Sequence, residues 1–537
     1  MKPRPIYTLD EETDPFQHLR TPIAFTVGLF DGSEFVSTWG PSCVAQMHEK
    51  VLALEDGIVF IHNGGKFDIY VRDEEGNTIL HWLLHGPKMT VIGGRIVKAQ
   101  IGALNDHHEL RDSMAIMPFS LAKYKKDDID YRKLERSVRE QHKPEILSYL
   151  KQDCVSLWEL CSDFIKRFGD NLTVGGTAMK EIKKRHEFDT LTSDMDAALR
   201  TRFYFGGRVQ CFEKGLAYAG KRRRFKVYDI NQCYPHAMRN FRHPLGAPVS
   251  TDRSIDSTCF FLTVTGYSHG CFPVRTKVGL SYPVGHGTFD VSIHEYRAAI
   301  ITNQFALSEI VETIHFDKVG SFEEFVDWAH GERKSCQLVF DERGSLFYKY
   351  VGNSGYGKFS QDPENYYDYC LTPDTQDFTE MELFRWEPCI VVEFGGYIIW
   401  RRKANTATRF NVATGASITG AARSLIIRGL AAAKRPLYCD TDSIICEDLK
   451  GVEIDDVKLG AWKIEKEGTW AALAGKKLYA LFDGGECVKR ASKGVRIRPD
   501  EIVKAASGMT IEFLKDAPTY DFKTGHDRYI KRRVRMT

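Results

Sequence analysis

The chain has 537 residues, of which 43% are hydrophobic and 27% charged, which is enough apolar material for several packed cores. Its 74 basic and 72 acidic residues give a net charge of +2, which by itself indicates no polyanionic partner. No apolar run approaches the ~18–20 residues of a membrane span, no apolar signal core follows Met1–Arg4, and the 13 cysteines include no Cys-x-x-Cys pair. These features exclude membrane, fibrous and small secreted classes and favour a cytoplasmic enzyme.

The first part of the chain alternates strand and helix patterns. Ile6–Leu9, Ile23–Gly28 and Ile58–His62 have the composition of strands, and Pro144–Lys166 has apolar residues at helical spacing. This alternation predicts an α/β domain over residues 1–185. The Gly- and Lys-rich stretch Phe168–His186 is predicted to be a linker.

Carboxylates cluster on these elements. Asp10 and Glu12 share one face of a strand, Asp68 follows a later strand, and Tyr149 and Asp153 are four residues apart on one helix face. Carboxylates and a phenol from three distant elements fit a two-metal phosphodiesterase in which the tyrosine aligns the attacking water. Any one of these acids alone is more typical of a protein surface.

The second part, residues 186–537, is mixed. It is rich in strand patterns around 258–290 and 386–400 and helical around 414–433. The Pro-, Asp- and Tyr-rich piece Gln361–Asp377 is predicted to be an excursion of the chain outside the core.

A first polar cluster of this part follows the strand pattern Phe225–Tyr228. Asp229 and the main-chain carbonyl of Ile230 offer oxygen ligands suited to Mg²⁺. Tyr234, five residues on, is a candidate for packing against a sugar, and the alternative is a core aromatic residue.

A second cluster has helical spacing. Lys349, Asn353 and Tyr356 fall on one helix face, where a lysine could meet a triphosphate. Gly352 and Gly355 weaken the helix prediction, since each costs about 1 kcal/mol against Ala. A flexible surface helix is the alternative.

The third cluster lies in residues 437–446, where apolar stretches flank a polar centre in a hairpin pattern. Asp440 and Asp442 are two apart and are predicted to project to one face of a strand. Adjacent carboxylates repel unless a cation lies between them. The alternative is an exposed Asp-rich turn.

These three clusters resemble, in order, the polymerase motifs of family B DNA polymerases. Asp229–Pro235 resembles motif A (Asp-x-x-Ser-Leu-Tyr-Pro), with Gln232 and Cys233 replacing Ser-Leu. Lys349–Gly357 resembles motif B (Lys-x-x-x-Asn-Ser-x-Tyr-Gly), and Tyr438–Ser443 matches motif C (Tyr-x-Asp-Thr-Asp-Ser). Three motifs in the family's order are far more specific than any one of them.

Shorter sequences extend the resemblance. In the second part, Tyr204–Gly207 resembles the Tyr-x-Gly-Gly motif of the family and Thr419–Arg423 resembles its Thr-x-x-Gly/Ala-Arg motif. Lys477–Tyr479 resembles its Lys-x-Tyr motif. In the first part, three segments resemble the Exo I, Exo II and Exo III motifs of the proofreading domain, and they are Asp10–Glu12, Asn63–Asp68 and Tyr149–Asp153.

The resemblance implies a multidomain α/β and α+β fold. An RNase H-like 3′–5′ exonuclease domain would occupy residues 1–185 and a right-hand polymerase domain residues 186–537. The polymerase domain would comprise the palm, an insertion (about 250–325), fingers (about 326–360), a second insertion (about 361–405), palm to about 465, and a thumb (about 466–537).

The resemblance also implies roles for individual residues. The implied catalytic residues are Asp229, Asp440, Asp442, Asp10, Glu12, Asp68, Tyr149, Asp153 and Lys126. The resemblance implies two Mg²⁺ ions per active site, for which Mn²⁺ can substitute. The implied ligands are Asp10, Glu12, Asp68, Asp153, Asp229, Ile230 and Asp442. The implied nucleotide contacts are Tyr234, Lys349, Asn353, Tyr356 and a fingers cation that is either Arg333 or Lys334. The implied DNA contacts are Thr13, Asn63, Phe67, Ser113, Tyr204, Gly206, Gly207, Thr419, Arg423, Lys477 and Tyr479.

Size and spacing favour the protein-primed branch of small bacteriophages and linear plasmids. About 110 residues separate Pro235 from Lys349 and about 80 separate Gly357 from Tyr438, enough for that branch's two insertions. The resemblance implies that the first insertion contacts a terminal priming protein and that the second confers strand displacement and processivity. A primer-independent relative is the alternative. The expected partners are primer–template DNA, single-stranded DNA and dNTPs, and a monomer in the host cytoplasm is expected.

Three other classes compete with this hypothesis. A reverse transcriptase or RNA-dependent polymerase would have Tyr-x-Asp-Asp and no fused exonuclease. A 3′–5′ exonuclease whose second half only binds nucleic acid would not need Asp229, Lys349 and Asp442 together. A non-enzymatic single-strand binder would use basic and aromatic residues alone and would leave the motif acids without a role.

Overall fold

The computed structural model describes residues 4–15, 21–83, 89–102, 108–124, 128–277, 279–373, 378–392, 397–404, 410–492, 497–514, 519–522, 526–528 and 531–534. Within these ranges no helix combines the length and the apolar character needed to cross a membrane. Predicted residue Lys126 lies outside the described residues.

The first unit is built on a mixed β-sheet. Its strands are β1 (Ile6–Thr13), β2 (Ala24–Phe30), β3 (Phe35–Trp39), β4 (Ile58–Ile61), β5 (Met89–Ile92), β6 (Arg95–Ile101) and β7 (His108–Asp112). Its helices are α1 (Cys43–Leu52), α2 (Ile79–Trp82), α3 (Lys143–Phe168) and α4 (Val174–Lys183). Strand β1 pairs antiparallel with β2 and parallel with β4.

Helices α1 and α3 both pack against β2, whose residues are all buried. A Cβ at Gly28 of β2 would lie 2.8 Å from Leu150 Cγ, so glycine is what lets α3 approach the sheet so closely. The hydroxyl of Thr8 on β1 donates to the Cys154 carbonyl of α3 at 2.8 Å. These contacts fix the register between the strand that carries Asp10 and the helix that carries Asp153.

The next elements contribute two strands to a second sheet and form a separate sheet in the region predicted to be an insertion. They are α5 (Ser193–Phe203), β8 (Val209–Cys211), β9 (Gly215–Tyr218), β10 (Phe225–Ile230), α6 (Cys233–Asn240), β11 (His243–Pro244), β12 (Ser250–Asp252), β13 (Cys259–His269), β14 (Val274–Thr276), β15 (Gly279–Ser281), β16 (Val284–Ser292), α7 (Ile293–Ile301), β17 (Phe305–His315) and β18 (Val319–Gly320). Within the insertion predicted over about 250–325, the described strands make a sheet in the order β12-β17-β13-β16.

Two helices, α8 (Glu323–Leu338) and α9 (Glu342–Phe359), pack against each other in the region predicted to be the fingers. Helix α4 packs against α9, and a Cβ at Gly355 would lie 2.7 Å from Ile182 Cδ1. Because Ala178, Met179 and Ile182 of α4 are buried, the linker predicted over Phe168–His186 is wrong. Apolar residues at helical spacing outweigh the glycines there.

The segment after α9 contains β19 (Tyr367–Pro373), α10 (Phe378–Leu383), β20 (Glu387–Val392) and β21 (Tyr397–Lys403). Strand β19 pairs with β5 and β21, giving a sheet of ten described strands in the order β20-β21-β19-β5-β6-β7-β4-β1-β2-β3. Tyr369 and Leu371 are buried in the core of the first unit. The excursion predicted over Gln361–Asp377 is therefore wrong, because β5 provides its pairing partner.

Among the described residues, the remaining elements complete the second sheet, add three strands to β9 in the sheet β29-β28-β27-β9, and form three two-stranded sheets. They are α11 (Val412–Ala432), β22 (Ala433–Lys434), β23 (Tyr438–Asp440), β24 (Ser443–Cys446), β25 (Asp448–Leu449), β26 (Trp462–Gly468), β27 (Trp470–Gly475), β28 (Leu478–Asp483), β29 (Glu486–Ser492), α12 (Pro499–Ala506), β30 (Ile511–Leu514), β31 (Thr519–Asp521), β32 (His526–Arg528) and β33 (Lys531–Val534). The second sheet has the order β26-β10-β24-β23-β8, which places β10 beside β24.

Candidate active sites

Asp229 and Asp442 meet because β10 pairs with β24. Asp229 lies opposite Ser443 in this pairing, and the Ile230 amide donates to the Asp442 carbonyl at 2.8 Å. The structure thus brings together residues that are more than 200 positions apart in the chain.

The turn of the hairpin differs from the sequence prediction. Strand β23 ends at Asp440, Thr441 has a left-handed φ of 62°, and the Asp442 amide donates to the Asp440 carbonyl at 2.6 Å. Asp442 therefore lies in a turn and lines a cavity with Asp229, whereas Asp440 pairs with Lys477 Nζ at 2.7 Å. The prediction that the two aspartates share one strand face is corrected, because the strand does not continue through them.

A cavity of about 680 Å³ lies beside these aspartates. Residues of motifs A, B and C line it, together with four residues of helix α8 and three residues that follow motif C. The lining residues are Asp229, Ile230, Asn231, Gln232, Cys233, Tyr234, His330, Arg333, Lys334, Gln337, Lys349, Asn353, Tyr356, Asp442, Asp456, Val457 and Lys463. Carboxylates and cations that line the same cavity suit a ligand that carries a divalent metal and phosphates.

The carboxylates that line this cavity lie in an environment that disfavours their charge. Burial, followed by the charges of Asp229 and Asp440, raises the pKa of Asp442 to about 7. Burial and Glu465 raise the pKa of Asp229, which Lys463 Nζ opposes from 3.4 Å. The half-buried carboxylates of Asp229 and Asp442, together with the main-chain oxygen of Ile230, form a donor set that fits Mg²⁺.

Several cations line the same cavity, and their charges repel that of Lys349. Burial, followed by the charges of Arg333, Lys123 and Lys463, lowers the pKa of Lys349. Arg333 Nε and His330 Nδ1 are buried and have no hydrogen-bond partner among the described residues. A bound polyanion would relieve this repulsion and supply acceptors for the unpartnered donor.

One side of the cavity is aromatic. The rings of Tyr234 on α6 and Tyr356 on α9 are stacked in parallel with centroids 3.9 Å apart. Burial raises the pKa values of both phenols, so both are neutral at physiological pH. Asn353, one turn before Tyr356, lines the same cavity.

The first unit gathers acids in a different place. One carboxylate oxygen of each of Asp10, Glu12 and Asp153 lies within 4.8 Å of the others, which makes this group a candidate metal site. Asp68 follows β4 on a short 3-10 turn, is buried, and lies outside that group of three. Burial, followed by the charges of Asp153 and Glu12, raises the pKa of Tyr149, which lies one turn before Asp153 on α3.

The residues predicted to contact single-stranded DNA in the first unit differ in exposure. Thr13 and Phe67 are half-buried and Asn63 is exposed, with its side-chain oxygen 3.0 Å from Arg95 Nη2. Ser113 is fully buried, and its hydroxyl lies 2.8 Å from His62 Nδ1. This burial leaves the Ser113 side chain no surface for a direct DNA contact.

In the second unit, Tyr204 and Gly207 are half-buried and Gly206 is exposed. A Cβ at Gly207 would lie 2.7 Å from Thr441 Cγ2, so this loop touches the motif C turn. Lys477 pairs with Asp440, and the buried ring of Tyr479 lies 4.7 Å from that of Tyr438.

Thr419 and Arg423 are inside the protein. The Thr419 hydroxyl donates to the Ala416 carbonyl at 3.0 Å, and the Arg423 side chain is 1% exposed. Their burial gives no support to the direct DNA contacts predicted for them, since the guanidinium is occupied by protein acceptors.

Several cavity residues escaped the sequence analysis. On α8, His330 lies one turn before Arg333 and Lys334, and Gln337 lies one turn after them, so all four share one helix face. Helical spacing around the two cations could therefore have identified His330 and Gln337. Lys463 reaches Asp229 through the antiparallel pairing of β26 with β10, for which the sequence carries no local signal.

Two groups of acids in one chain, one of them beside a cavity that cations also line, are the arrangement expected of metal-dependent enzymes that act on nucleic acids. Residues 96–449 match the family described as DNA polymerase type B, organellar and viral, and the chain belongs to that family. The predicted family is confirmed.

Individual relatives agree with this assignment. A DNA-directed DNA polymerase of Enterobacteria phage PRD1 is 42% identical over 563 aligned positions, which cover 99% of this chain and 98% of the relative. A probable DNA polymerase of Neurospora intermedia is 22% identical over 380 positions, covering 64% of this chain and 38% of that protein. Phi29 DNA polymerase complexed with primer–template DNA superposes with a TM-score of 0.73 at 20% identity over the whole of both chains. The predicted fold class, an exonuclease domain followed by palm, fingers and thumb, is confirmed.

Proposed function

We propose that this chain copies DNA with Mg²⁺ and dNTPs and proofreads its product with a 3′–5′ exonuclease. The observation that carries the proposal is the cavity in which Asp229 and Asp442 face Lys349 and Arg333. Acids that can hold a metal and cations that can bind phosphates, in one cavity, match a metal-bound nucleoside triphosphate.

The polymerase site is proposed to work as follows. Mg²⁺ held by Asp229, Asp442 and the Ile230 carbonyl would supply Lewis-acid activation of the primer hydroxyl and charge neutralisation at the leaving pyrophosphate, with Mn²⁺ as a substitute. Lys349 binds the triphosphate and stabilises charge that develops on it during transfer. Arg333 is our choice for the second cation, because it is half-buried beside Lys349 with an unpartnered Nε, whereas Lys334 is more exposed.

The aromatic side of the cavity is proposed to select the sugar. Tyr234 is held by its stack on Tyr356, so its ring cannot move away to admit a 2′-hydroxyl. Asn353 and Tyr356 complete this side of the nucleotide site.

The exonuclease site is proposed to consist of Asp10, Glu12, Asp68 and Asp153, with Tyr149 as the residue that orients the attacking water. Its support is the close approach of three of these acids on rigid elements. Lys126 stays a prediction. Asn63, Thr13 and Phe67 are proposed to hold the single-stranded primer end, and Lys477 and Gly206 the duplex.

We further propose that the enzyme is primed by a terminal protein bound at the insertion of residues 250–325, and that it is a processive, strand-displacing monomer in the cytoplasm of a host cell. The supports are the spacing of the motifs and the similarity to bacteriophage enzymes over the full chain.

The test is primer extension on a primed circular DNA with Mg²⁺ and dNTPs, comparing wild type with Asp442→Ala and Asp10→Ala. We expect long, strand-displaced products from wild type and Asp10→Ala. Asp442→Ala should lose extension and keep primer digestion, and Asp10→Ala should lose digestion.

Glu312→Gln serves as a matched acid control, because Glu312 pairs with Arg202 on the insertion sheet. It should behave like wild type. Digestion that needs Asp10, without any extension by wild type, would identify a nuclease and overturn the polymerase proposal.

A further inference from the structure

Helix α11 carries a buried arginine that is tied to the insertion. Arg423 Nε donates to Glu295 Oε1 at 2.6 Å and Nη2 donates to Glu295 Oε2 at 2.8 Å, and both side chains are 1% exposed. A paired and hydrogen-bonded arrangement of this kind is what a buried charge requires, because an isolated one would be strongly destabilising.

Glu295 is itself fixed in place. It is the third residue of α7 and forms a capping box with Ser292, whose hydroxyl donates to Glu295 Oε2 at 2.8 Å. A Cβ at Gly420, three residues before Arg423, would lie 2.2 Å from Ser292 Oγ. The glycine therefore permits the close approach of α7 and α11 that brings the carboxylate to the guanidinium.

The same guanidinium holds a loop on its other side. Arg423 Nη1 donates to the Phe205 carbonyl and, at 3.0 Å, to the Gly206 carbonyl. These carbonyls belong to the loop of residues 204–208, which connects α5 to β8. The two hydrogen bonds to Glu295 fix the plane of the guanidinium, and this plane sets the direction in which Nη1 meets both carbonyls.

The loop in turn supports the motif C turn. The Arg208 carbonyl accepts from the Thr441 amide at 2.7 Å, and Gly207 packs against the Thr441 side chain. Thr441 has a left-handed φ and lies between Asp440 and Asp442. The contacts run without a break from Glu295 through Arg423 and the loop to the catalytic turn.

We propose that Glu295 is a positioning residue of the polymerase site, which acts through Arg423 on the loop of residues 204–208 and thereby on the turn that carries Asp442. The inference rests on the proposed polymerase function. It predicts that a change at Glu295 affects polymerisation and not digestion, because the chain of contacts ends at the polymerase site and not at the Asp10 cluster.

The test measures kcat and the dNTP KM for single-nucleotide insertion, together with digestion of single-stranded DNA, in the full chain. Displacement of a reacting group by about 1 Å costs up to about a hundredfold, so Glu295→Gln should lower kcat by about 10- to 100-fold. The dNTP KM and the digestion rate should stay within about twofold of the wild-type values, because the substitution changes neither the cations of the cavity nor the Asp10 site.

Two further variants give the readout that a merely structural role would not produce. Arg423→Lys keeps the charge but cannot bind the carboxylate and both carbonyls, so it should lower kcat similarly. In that background Glu295→Gln should have little additional effect, because the two residues act as one unit. Glu312→Gln, whose carboxylate pairs β17 of the same insertion with Arg202 of α5, is the control and should keep wild-type kcat.

Wild-type kcat in Glu295→Gln, or an equal loss of insertion and digestion, would overturn the inference. If Glu295→Gln does not fold, Gly207→Ala decides, since its added Cβ pushes directly on Thr441 and should lower kcat with unchanged digestion. A wild-type chain that digests but never extends primers would instead defeat the proposed function itself.

Discussion

The two acidic sites of this chain assemble their carboxylates in different ways. In the first unit, Asp10, Glu12 and Asp153 come from one strand and one long helix, and their oxygens already lie within 4.8 Å of one another. In the second unit, Asp229 and Asp442 share their cavity with lysines, and Asp440 is paired with Lys477.

This difference indicates how each site completes a metal's coordination. The first site supplies several carboxylates of its own, on elements whose register is fixed by packing. The second supplies few, and Mg²⁺ in such sites takes its remaining ligands from substrate phosphates and water. If the two sites work as proposed, the Asp10 site is expected to hold metal before substrate arrives, whereas the Asp442 site is expected to acquire it with the nucleotide.

The largest expected effect tests the first half of this comparison. Asp153→Asn should slow digestion of single-stranded DNA by on the order of a thousandfold, since several kcal/mol of charge stabilisation depend on the metal and each 1.36 kcal/mol is tenfold. Extension should continue. Digestion is measured on a labelled oligonucleotide, with Asp163→Asn on the same helix, whose acid pairs with Arg167, as the control. Equal digestion by both variants would contradict the assignment.

A smaller effect sharpens the contrast between the sites. Without nucleotide, Mn²⁺ binding measured by calorimetry should weaken about 10- to 100-fold in Asp10→Asn, as expected when a ligand set is disturbed. Asp442→Asn should bind Mn²⁺ like wild type under these conditions and should lose only the additional binding that appears with a non-hydrolysable dNTP. Nucleotide-independent loss of binding in Asp442→Asn would show that both sites are preformed.

The smallest effect concerns stability and pH. The pKa of Asp442 is about 7 in the folded chain and ordinary in the unfolded chain, so the folded state binds this proton more tightly. Its stabilising contribution is therefore present at low pH and is lost as pH rises from about 4 to 7. With metal chelated, Asp442→Asn should melt about 2 °C higher than wild type at pH 8 and no higher at pH 4. A higher midpoint at both pH values would show that the gain does not come from removing the buried charge.

Spacing along a single element could place some of the candidate site residues on one face, because it reflects local geometry. Asp10 and Glu12 on a strand, and Lys349, Asn353 and Tyr356 on a helix, occupy one face simply because of the period of each element. Lys463 and Glu295 could not be found this way, because pairing between distant strands and helices brings them to Asp229 and Arg423.

Local composition also misled in two places. Gln361–Asp377 is rich in residues typical of loops, yet Tyr369 and Leu371 are buried because β5 offers β19 a pairing partner. In the stretch Phe168–His186, glycines at the start of α4 obscured the apolar spacing that buries its later residues. In both cases the deciding partner lies far away in the sequence.

The pairing of β19 with β5 has a consequence for dissecting the molecule. A fragment of residues 1–185 would lack β19 to β21 and would leave the backbone donors and acceptors of β5 at an open sheet edge. Such an edge is a template for pairing between chains, so the isolated fragment is expected to self-associate. A hybrid in which residues 361–404 are fused to the end of that fragment would restore the missing strands and should stay dispersed.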